Sequence, residues 1–360
     1  MNCIRIKSNF SKEMSSADKN FRKSGWAGHQ FGLIEYKNLS LNDWKYETKQ
    51  IYLRFLDLAD KSAGFNNFRD LKYTSEIWLK TYLNNQCDHN KTFHLALFEK
   101  EKLLIFIANH ALCDGHILYK ILTICLNLKT PLKTPQYRRI PIISEISVLR
   151  YIFERSIDNI GFNPLPIENT NRRYSLFLPY SNNGRWEVMG TIFHCLYKCL
   201  IPKVKSIRIA FTVAWDDEKT NAKNRIGGII IDIPRKSNPS EYSGLIKKNI
   251  LKRKKDALIS YEIVRNYSVN KLRKKFCHSI DGVCTMLPID DHVSGFTKWY
   301  GGFAGNLKAP FYLNAITYKS KKSPCIGFSI QTCTPYFDEK LLLKKYPDAI
   351  NYNNYKFPIS

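Results

Sequence analysis

His110, Asp114 and Gly115 stand close enough together to form a reaction centre, in the run Asn109-His110-Ala111-Leu112-Cys113-Asp114-Gly115-His116. A neutral imidazole can take a proton from a hydroxyl, amine or thiol near neutral pH and return it to a leaving group. Gly115 permits a tight turn. Asp114, four residues after the histidine, suits either a helix-opening cap or one half of a buried ion pair. On spacing alone, the pattern also fits a structural histidine. Its reading therefore depends on the elements that hold it.

Those elements are legible. FHLALF and LLIFIA are two apolar strands around the charged turn Glu99-Lys100-Glu101-Lys102, and the second strand runs directly into Asn109. HILYKILTICLNL continues as an apolar helix. A histidine at such a junction is held by the sheet, and the turn aims its ring toward a neighbouring surface.

Upstream, Ser40 and Asp43 have capping-box spacing and predict a helix through WKYETKQIYLRFLDLA. A second helix is expected over Ser75–Asn84, after the turn-like GFNNFRD. Residues 129–145, with Pro131, Pro135 and Pro141, read as a connection leading to a helix near 145–159. Beyond it come the strands RRYSLFLP, SIRIAFTVAW, GGIIIDIP and CIGFSIQTC. Helices are expected over roughly 186–200, in a very basic stretch from Glu241 to Lys275, and after Asp338. The pattern predicts an α/β protein in two halves, residues 1–150 carrying the histidine motif and 151–360 completing the molecule.

In this setting NHALCDGHILYKIL, preceded by a hairpin, resembles the active-site segment of the chloramphenicol acetyltransferase-like superfamily. That group includes antibiotic acetyltransferases, condensation domains of peptide synthetases, wax-ester synthase-type enzymes and BAHD acyltransferases. The family pattern is His-His-x-x-x-Asp-Gly. Here His110, Asp114 and Gly115 hold the second histidine, the aspartate and the glycine, while Asn109 replaces the first histidine. NRIGGIIIDIPRK is similar to a second segment shared by condensation domains and wax-ester synthase-like proteins, with Ile226, Gly227, Ile231 and Pro234 at the matching places. Where the family has an arginine that partners the motif aspartate, this chain has Trp215-Asp216-Asp217; Arg208 or Arg225 could take that place.

The resemblance implies a pseudo-dimer of two mixed-sheet halves with flanking helices and a tunnel between them. His110 would act as general base for an acyltransferase that moves an acyl group from a coenzyme A or carrier-protein thioester to a hydroxyl or amine. Asp114 and Gly115 would be structural, Asn109 is a candidate to touch substrate, and Gly301 and Gly302 could let backbone approach the donor's pantetheine arm; His116, at the helix start, is a candidate substrate contact or a solvent-facing residue. No tightly bound cofactor is implied. A non-catalytic member of the same fold, binding an acyl ligand or a carrier protein, is the alternative. Read from spacing alone, the segment with Gly301 and Gly302 is equally well a glycine-rich turn.

Composition bounds the partners. The chain has 360 residues and 56 Lys plus Arg against 31 Asp plus Glu, a formal charge of +25 that invites phosphate or other polyanions. The basic stretch from Lys247 to Lys275 could serve coenzyme A phosphates, an acidic carrier protein or nucleic acid, but a solvated lysine-rich surface is the leading reading. Nucleic acid is the weakest of these, because no zinc finger, helix-turn-helix or RNA-binding aromatic motif accompanies the charge. No apolar run reaches the roughly 20 residues of a membrane span. The first residues, MNCIRIKSNFSKEMSS, lack a signal-peptide core, so a cytoplasmic protein is expected. The ten cysteines are dispersed without a Cys-x-x-Cys pair. His194, Cys195 and Cys199 read as part of a buried helix, so reduced core thiols are expected and no metal site. His29 has no partner pattern, and His278 and His292, flanking Asp281, Asp290 and Asp291, read as a solvated loop.

Overall fold

Two mixed sheets organise the chain in a computed structural model, which describes residues 29–35, 40–59, 63–68, 93–109, 125–126, 144–168, 172–179, 184–214, 226–266, 280–292, 298–304, 309–319 and 324–351. The first sheet has the order β2-β3-β4-β1-β9, from β1 (His29–Glu35), β2 (Ala63–Phe68), β3 (Phe93–Phe98), β4 (Leu103–Asn109) and β9 (Lys298–Ala304). The second runs β12-β5-β11-β10-β8-β6-β7. Its strands are β5 (Arg172–Pro179), β6 (Ser206–Ala214), β7 (Ile226–Pro234), β8 (Gly282–His292), β10 (Phe311–Lys319), β11 (Pro324–Thr332) and β12 (Ile350–Asn351).

The expected hairpin is β3 and β4. Every residue of β3 is buried, as are Leu103 to Ala108 of β4, and strands covered on both faces read as unbroken apolar runs. Helix α1 (Leu41–Ala59) covers one face, with Phe55 packed edge-on against Phe106 at 6.5 Å between ring centres. Its start is the predicted one: Ser40 Oγ accepts from the Asp43 N–H at 3.1 Å and donates to the Asp43 carboxylate at 2.7 Å.

The second sheet carries α3 (Arg185–Lys198), α4 (Pro239–Lys252) and α5 (Lys254–Asn266) on one face, with α6 (Glu339–Lys345) nearby. α2 (Glu145–Asp158) packs on α5 through Val148, Tyr151 and Ile263. Alternation along each strand builds a dry core beneath α3 to α5, from Phe211, Phe311, Phe328, Ile231 and their neighbours. Gly227 is required there, because a Cβ would fall 1.9 Å from the Ala257 carbonyl oxygen of α5. α5 also covers the open edge of β7. Ser260 Oγ accepts from the Gly228 N–H at 2.7 Å, and Arg253 donates to the Ile230 carbonyl at 2.6 Å.

Two sequence expectations are corrected, and a third that stood open is decided. GFNNF is no turn but most of edge strand β2, where parallel pairing with β3 overrides the local preference of glycine and asparagine. The stretch read as a solvated loop around Asp281 to His292 is β8, paired on both sides in the second sheet. The glycine-rich 298–304 is strand β9, and although it lies late in the chain its ladder is with β1 of the first sheet. The very basic stretch is two helices, α4 and α5, with Arg253 at their junction. The helix expected at Ser75–Asn84 lies outside the described residues, as does most of the one expected after Gly115.

Candidate functional site

β4 ends at Asn109, one residue before the candidate base. His110, Asp114, Gly115 and His116 lie outside the described residues, but the strands that lead to them do not. The ladders align Asn109 with His29 on β1, and His29 with Ala304 on β9. Gly302 and Gly301 follow on β9, opposite Phe31 and Gly32. Thus Asn109 and the Gly301–Gly302 pair share one sheet with only β1 between them; Ala304 lies about 10 Å from Asn109 by strand spacing, and the glycines two and three residues further along β9. His29, which has no motif of its own, takes a register position directly opposite Asn109. No sequence signal short of strand pairing could have found that neighbour.

β9 also approaches β10 and β11 of the second sheet. The face of that sheet turned away from α3 to α5 carries polar side chains. Thr212 bonds to Thr285 at 3.1 Å, and Tyr312 is hydrogen-bonded to Thr285 in turn. Ser175 and Ser329 are 3.1 Å apart. Asn314 stands opposite Thr285 on one side and Ser329 on the other, and Gln331 is opposite Tyr312. Asn314 is 7% exposed and Gln331 2%. Neither the Asn314 Oδ1 nor either polar atom of the Gln331 amide has a hydrogen-bond partner among the described residues. A buried polar atom without a partner costs about 1–3 kcal/mol. Native folds keep such atoms where a ligand or bound water meets them. Burial pushes the Tyr312 phenol up to about 12, so it remains a hydrogen-bond donor at neutral pH. Sequence reading passed over Asn314 and Gln331. The signal was present in FYLNAIT and GFSIQT, where polar residues recur at every second position inside apolar strands.

One margin of this face is closed by an ionic cluster. Arg208 Nε and Nη2 donate to Asp232 at 2.6 and 3.1 Å, while its Nη1 donates to the Asp158 carbonyl and to Asn159 Oδ1. The guanidinium also lies 4.0 Å from the centre of the Phe162 ring. Arg208, a candidate partner for Asp114, therefore spends four of its five N–H donors on these groups. Asp281 is 2% exposed and accepts the N–H groups of Leu165 and Arg208, one on each carboxylate oxygen, at 2.8 and 2.7 Å. Burial raises its carboxyl above the ordinary 3.8, against the pull of those two donors and of Arg208. It anchors the start of β8 to β6 and is no solvated loop residue.

The remaining sequence candidates are placed elsewhere. His194, Cys195 and Cys199 sit on α3 and its cap, with the two thiols hydrogen-bonded to each other in the core. All the described cysteines are free thiols. Among the described residues no group of His, Cys, Asp and Glu is disposed to hold a metal, and no helix is long and apolar enough to cross a membrane. Lys247, Lys248, Lys252, Lys254 and Lys255 are exposed on α4 and α5.

Neither a family model nor a curated protein sequence matches the chain. Solved structures do. The chain is similar to the trichothecene 15-O-acetyltransferase of Fusarium sporotrichioides, with a TM-score of 0.55 at 11% identity over 92% of each chain. It is similar to the epimerization domain from the third module of tyrocidine synthetase B, with a TM-score of 0.50 at 12% identity over 93% of this chain and 94% of that one. A variant of the starter condensation domain of rhizomide synthetase, in complex with C8-CoA and Leu-SNAC, gives 0.50 at 11% identity over 91% and 90%. At such identities the likeness is one of fold. The chain has the chloramphenicol acetyltransferase-like fold.

Proposed function

We propose that the protein is an acyltransferase, moving an acyl group from a thioester donor to a hydroxyl or amine acceptor, with His110 as general base. The observation that supports this reading is that β4, whose residues Leu103 to Ala108 are buried, ends at Asn109, the residue before His110 in the chain, in the same sheet as Gly301 and Gly302 on β9. An imidazole nitrogen of His110 takes the proton of the acceptor's O–H or N–H. The freed oxygen or nitrogen attacks the thioester carbonyl, the C–S bond breaks, and the imidazolium returns its proton to the departing thiolate. A thioester is already activated, so one base plus positioning supplies most of the acceleration.

Asp114 holds the turn and takes no proton. Asn109 and His116 border the substrates. Gly301 and Gly302 admit the pantetheine arm, and Asn314 and Gln331 offer hydrogen bonds to the acceptor. The donor is acyl-coenzyme A or an acyl carrier protein.

A non-catalytic acyl-ligand-binding protein is the second reading, favoured by Asn109 standing where the family pattern has its first histidine. His110→Ala separates the two. Free thiol release from octanoyl-coenzyme A with a panel of alcohols and amines should fall at least about 10²-fold, the contribution of a general base, while thioester binding persists. Turnover that survives the substitution unchanged refutes the mechanism. Binding without turnover in the wild-type chain favours the second reading.

A further inference from the structure

Helix α2 buries one side and bares the opposite one. Val148, Tyr151 and Arg155 are buried, with Val148 and Tyr151 packed on Ile263 of α5. On the outer side, Ile146, Leu149, Phe153 and Ile157 are 77, 66, 67 and 50% exposed, and Ile160, in the turn that follows, is 80% exposed. At the α-helical turn angle and rise these five form a stripe about 80° wide and about 20 Å long. Single apolar residues are ordinary on a surface, whereas an aligned set marks a contact face.

The spacing identifies the occupant. Consecutive members of the stripe are three, four, four and three residues apart, so it reads the same in both directions about Phe153. An antiparallel second copy, related by a two-fold axis at Phe153, sets Phe153 against Phe153, Leu149 against Ile157 and Ile146 against Ile160. Every member then meets an apolar partner, which is the self-complementarity an isologous interface requires.

The charges agree with that pairing. Arg150 and Glu154 flank the stripe on one side, about 60° and about 100° from its centre by the turn angle. A two-fold axis brings this flank against the same flank of the other copy. Each Arg150, held 2.8 Å from its own Glu154, then stands between that carboxylate and the partner's. The exposed Glu145 falls opposite Gly161, and Asp158, paired with Arg155 at 3.2 Å, lies round the back of the helix. The chain's +25 opposes self-association at long range. But α2 sets Glu145, Glu154 and Asp158 against only Arg150 and Arg155, and physiological salt screens charges beyond about 8 Å. A weakly acidic helix on a basic molecule is where two copies repel least. We propose that α2 is the interface of a homodimer, an antiparallel helix pair crossing at Phe153. Five side chains from each copy set it near the small end of stable interfaces, about 1,200 Å² in total, with an affinity on the order of micromolar.

The test is sedimentation equilibrium of the full chain from about 1 to about 100 µM, a range that spans the affinity of so small an interface. The mass should pass from monomer to dimer, and the dimer should hold or strengthen as salt screens the charge of each copy. Phe153→Glu sets two carboxylates across the axis and should weaken association at least about tenfold. Its thermal midpoint at the lowest concentration should match wild type, since the site is exposed. Arg150→Glu should weaken the dimer about two- to fivefold, and adding Glu154→Arg should restore it. Under mild oxidation Phe153→Cys should cross-link to itself at residue 153, located by peptide mass spectrometry, and Ile146→Cys should cross-link to Ile160→Cys in a mixed sample. A chain monomeric throughout the range, a dimer that survives Phe153→Glu, or Ile146→Cys cross-linking to itself in preference to Ile160→Cys overturns the proposal. So does a monomer that floats with phosphatidylserine vesicles and is released by Phe153→Glu; the stripe would then belong to a bilayer.

Discussion

The two faces of the seven-stranded sheet are made by the same strands yet differ in kind. Under α3 to α5, Phe211, Phe311, Leu313, Phe328 and Ile330 interlock with Phe193, Tyr242 and Leu258. On the other side the same strands present Thr212, Thr285, Tyr312, Asn314, Ser329 and Gln331. The first face is closed by its own helices and is built almost wholly of apolar side chains. The second buries the Asn314 Oδ1 and the Gln331 amide, which have no hydrogen-bond partner among the described residues. One face therefore stabilises the fold by apolar burial, while the other buries polar groups at a cost in stability.

Substitutions on each face sharpen the contrast. Phe311→Ala, at a site with no exposure, should lower unfolding free energy by about 3–5 kcal/mol in denaturant titration, by leaving a cavity in the dry core. Asp281→Asn, at the margin between the faces, sets an amide N–H₂ against one of two N–H donors. It should cost about 1–3 kcal/mol in the same measurement.

Gln331→Leu should do the opposite on the polar face. The thermal midpoint should hold or rise, because an unsatisfied amide is replaced by a side chain of similar size, while acyl transfer falls about tenfold. A midpoint several degrees lower would make Gln331 part of the fold's own framework and erase the distinction between the faces.

His194 gives the smallest effect. Burial first, then Lys198 and Lys345, hold its imidazole below the ordinary 6.5. The folded state thus disfavours the charged form, and the associated stability is full above 6.5 and lost as pH falls through the folded value. Thermal midpoints measured from pH 7 to pH 5 should decline, and His194→Gln should flatten the decline.

How far this was visible without coordinates depends on the range of the interaction. The Ser40 cap, the β3–β4 hairpin, α3, and the Asp338 cap of α6 all depend on residues a few positions apart, and their patterns were readable. GFNNF misled because its composition speaks for a turn while its partner, β3, lies some 30 residues on. β8 misled because charged residues at its ends masked a strand held by β6 and β10. At the candidate site, the motif from His110 to Gly115 was recognisable as a pattern. His29 beside Asn109 was not, since their strands lie some 80 residues apart, whereas Asn314 and Gln331 come from the neighbouring strands β10 and β11, whose polar alternation the chain does display.

What the sequence determined by itself is the local grammar: the capped helices, the buried strand running into Asn109-His110, and the excess of positive charge. These follow from periodicity and side-chain chemistry within a turn or two. Only the tertiary structure decided that β9 leaves the second half of the chain to pair with β1, that Asp281 is an anchor, and that α2 bares an apolar stripe. The physical reason is the same in each case. Backbone hydrogen bonds between strands and burial against distant helices are collective, so no segment carries them alone.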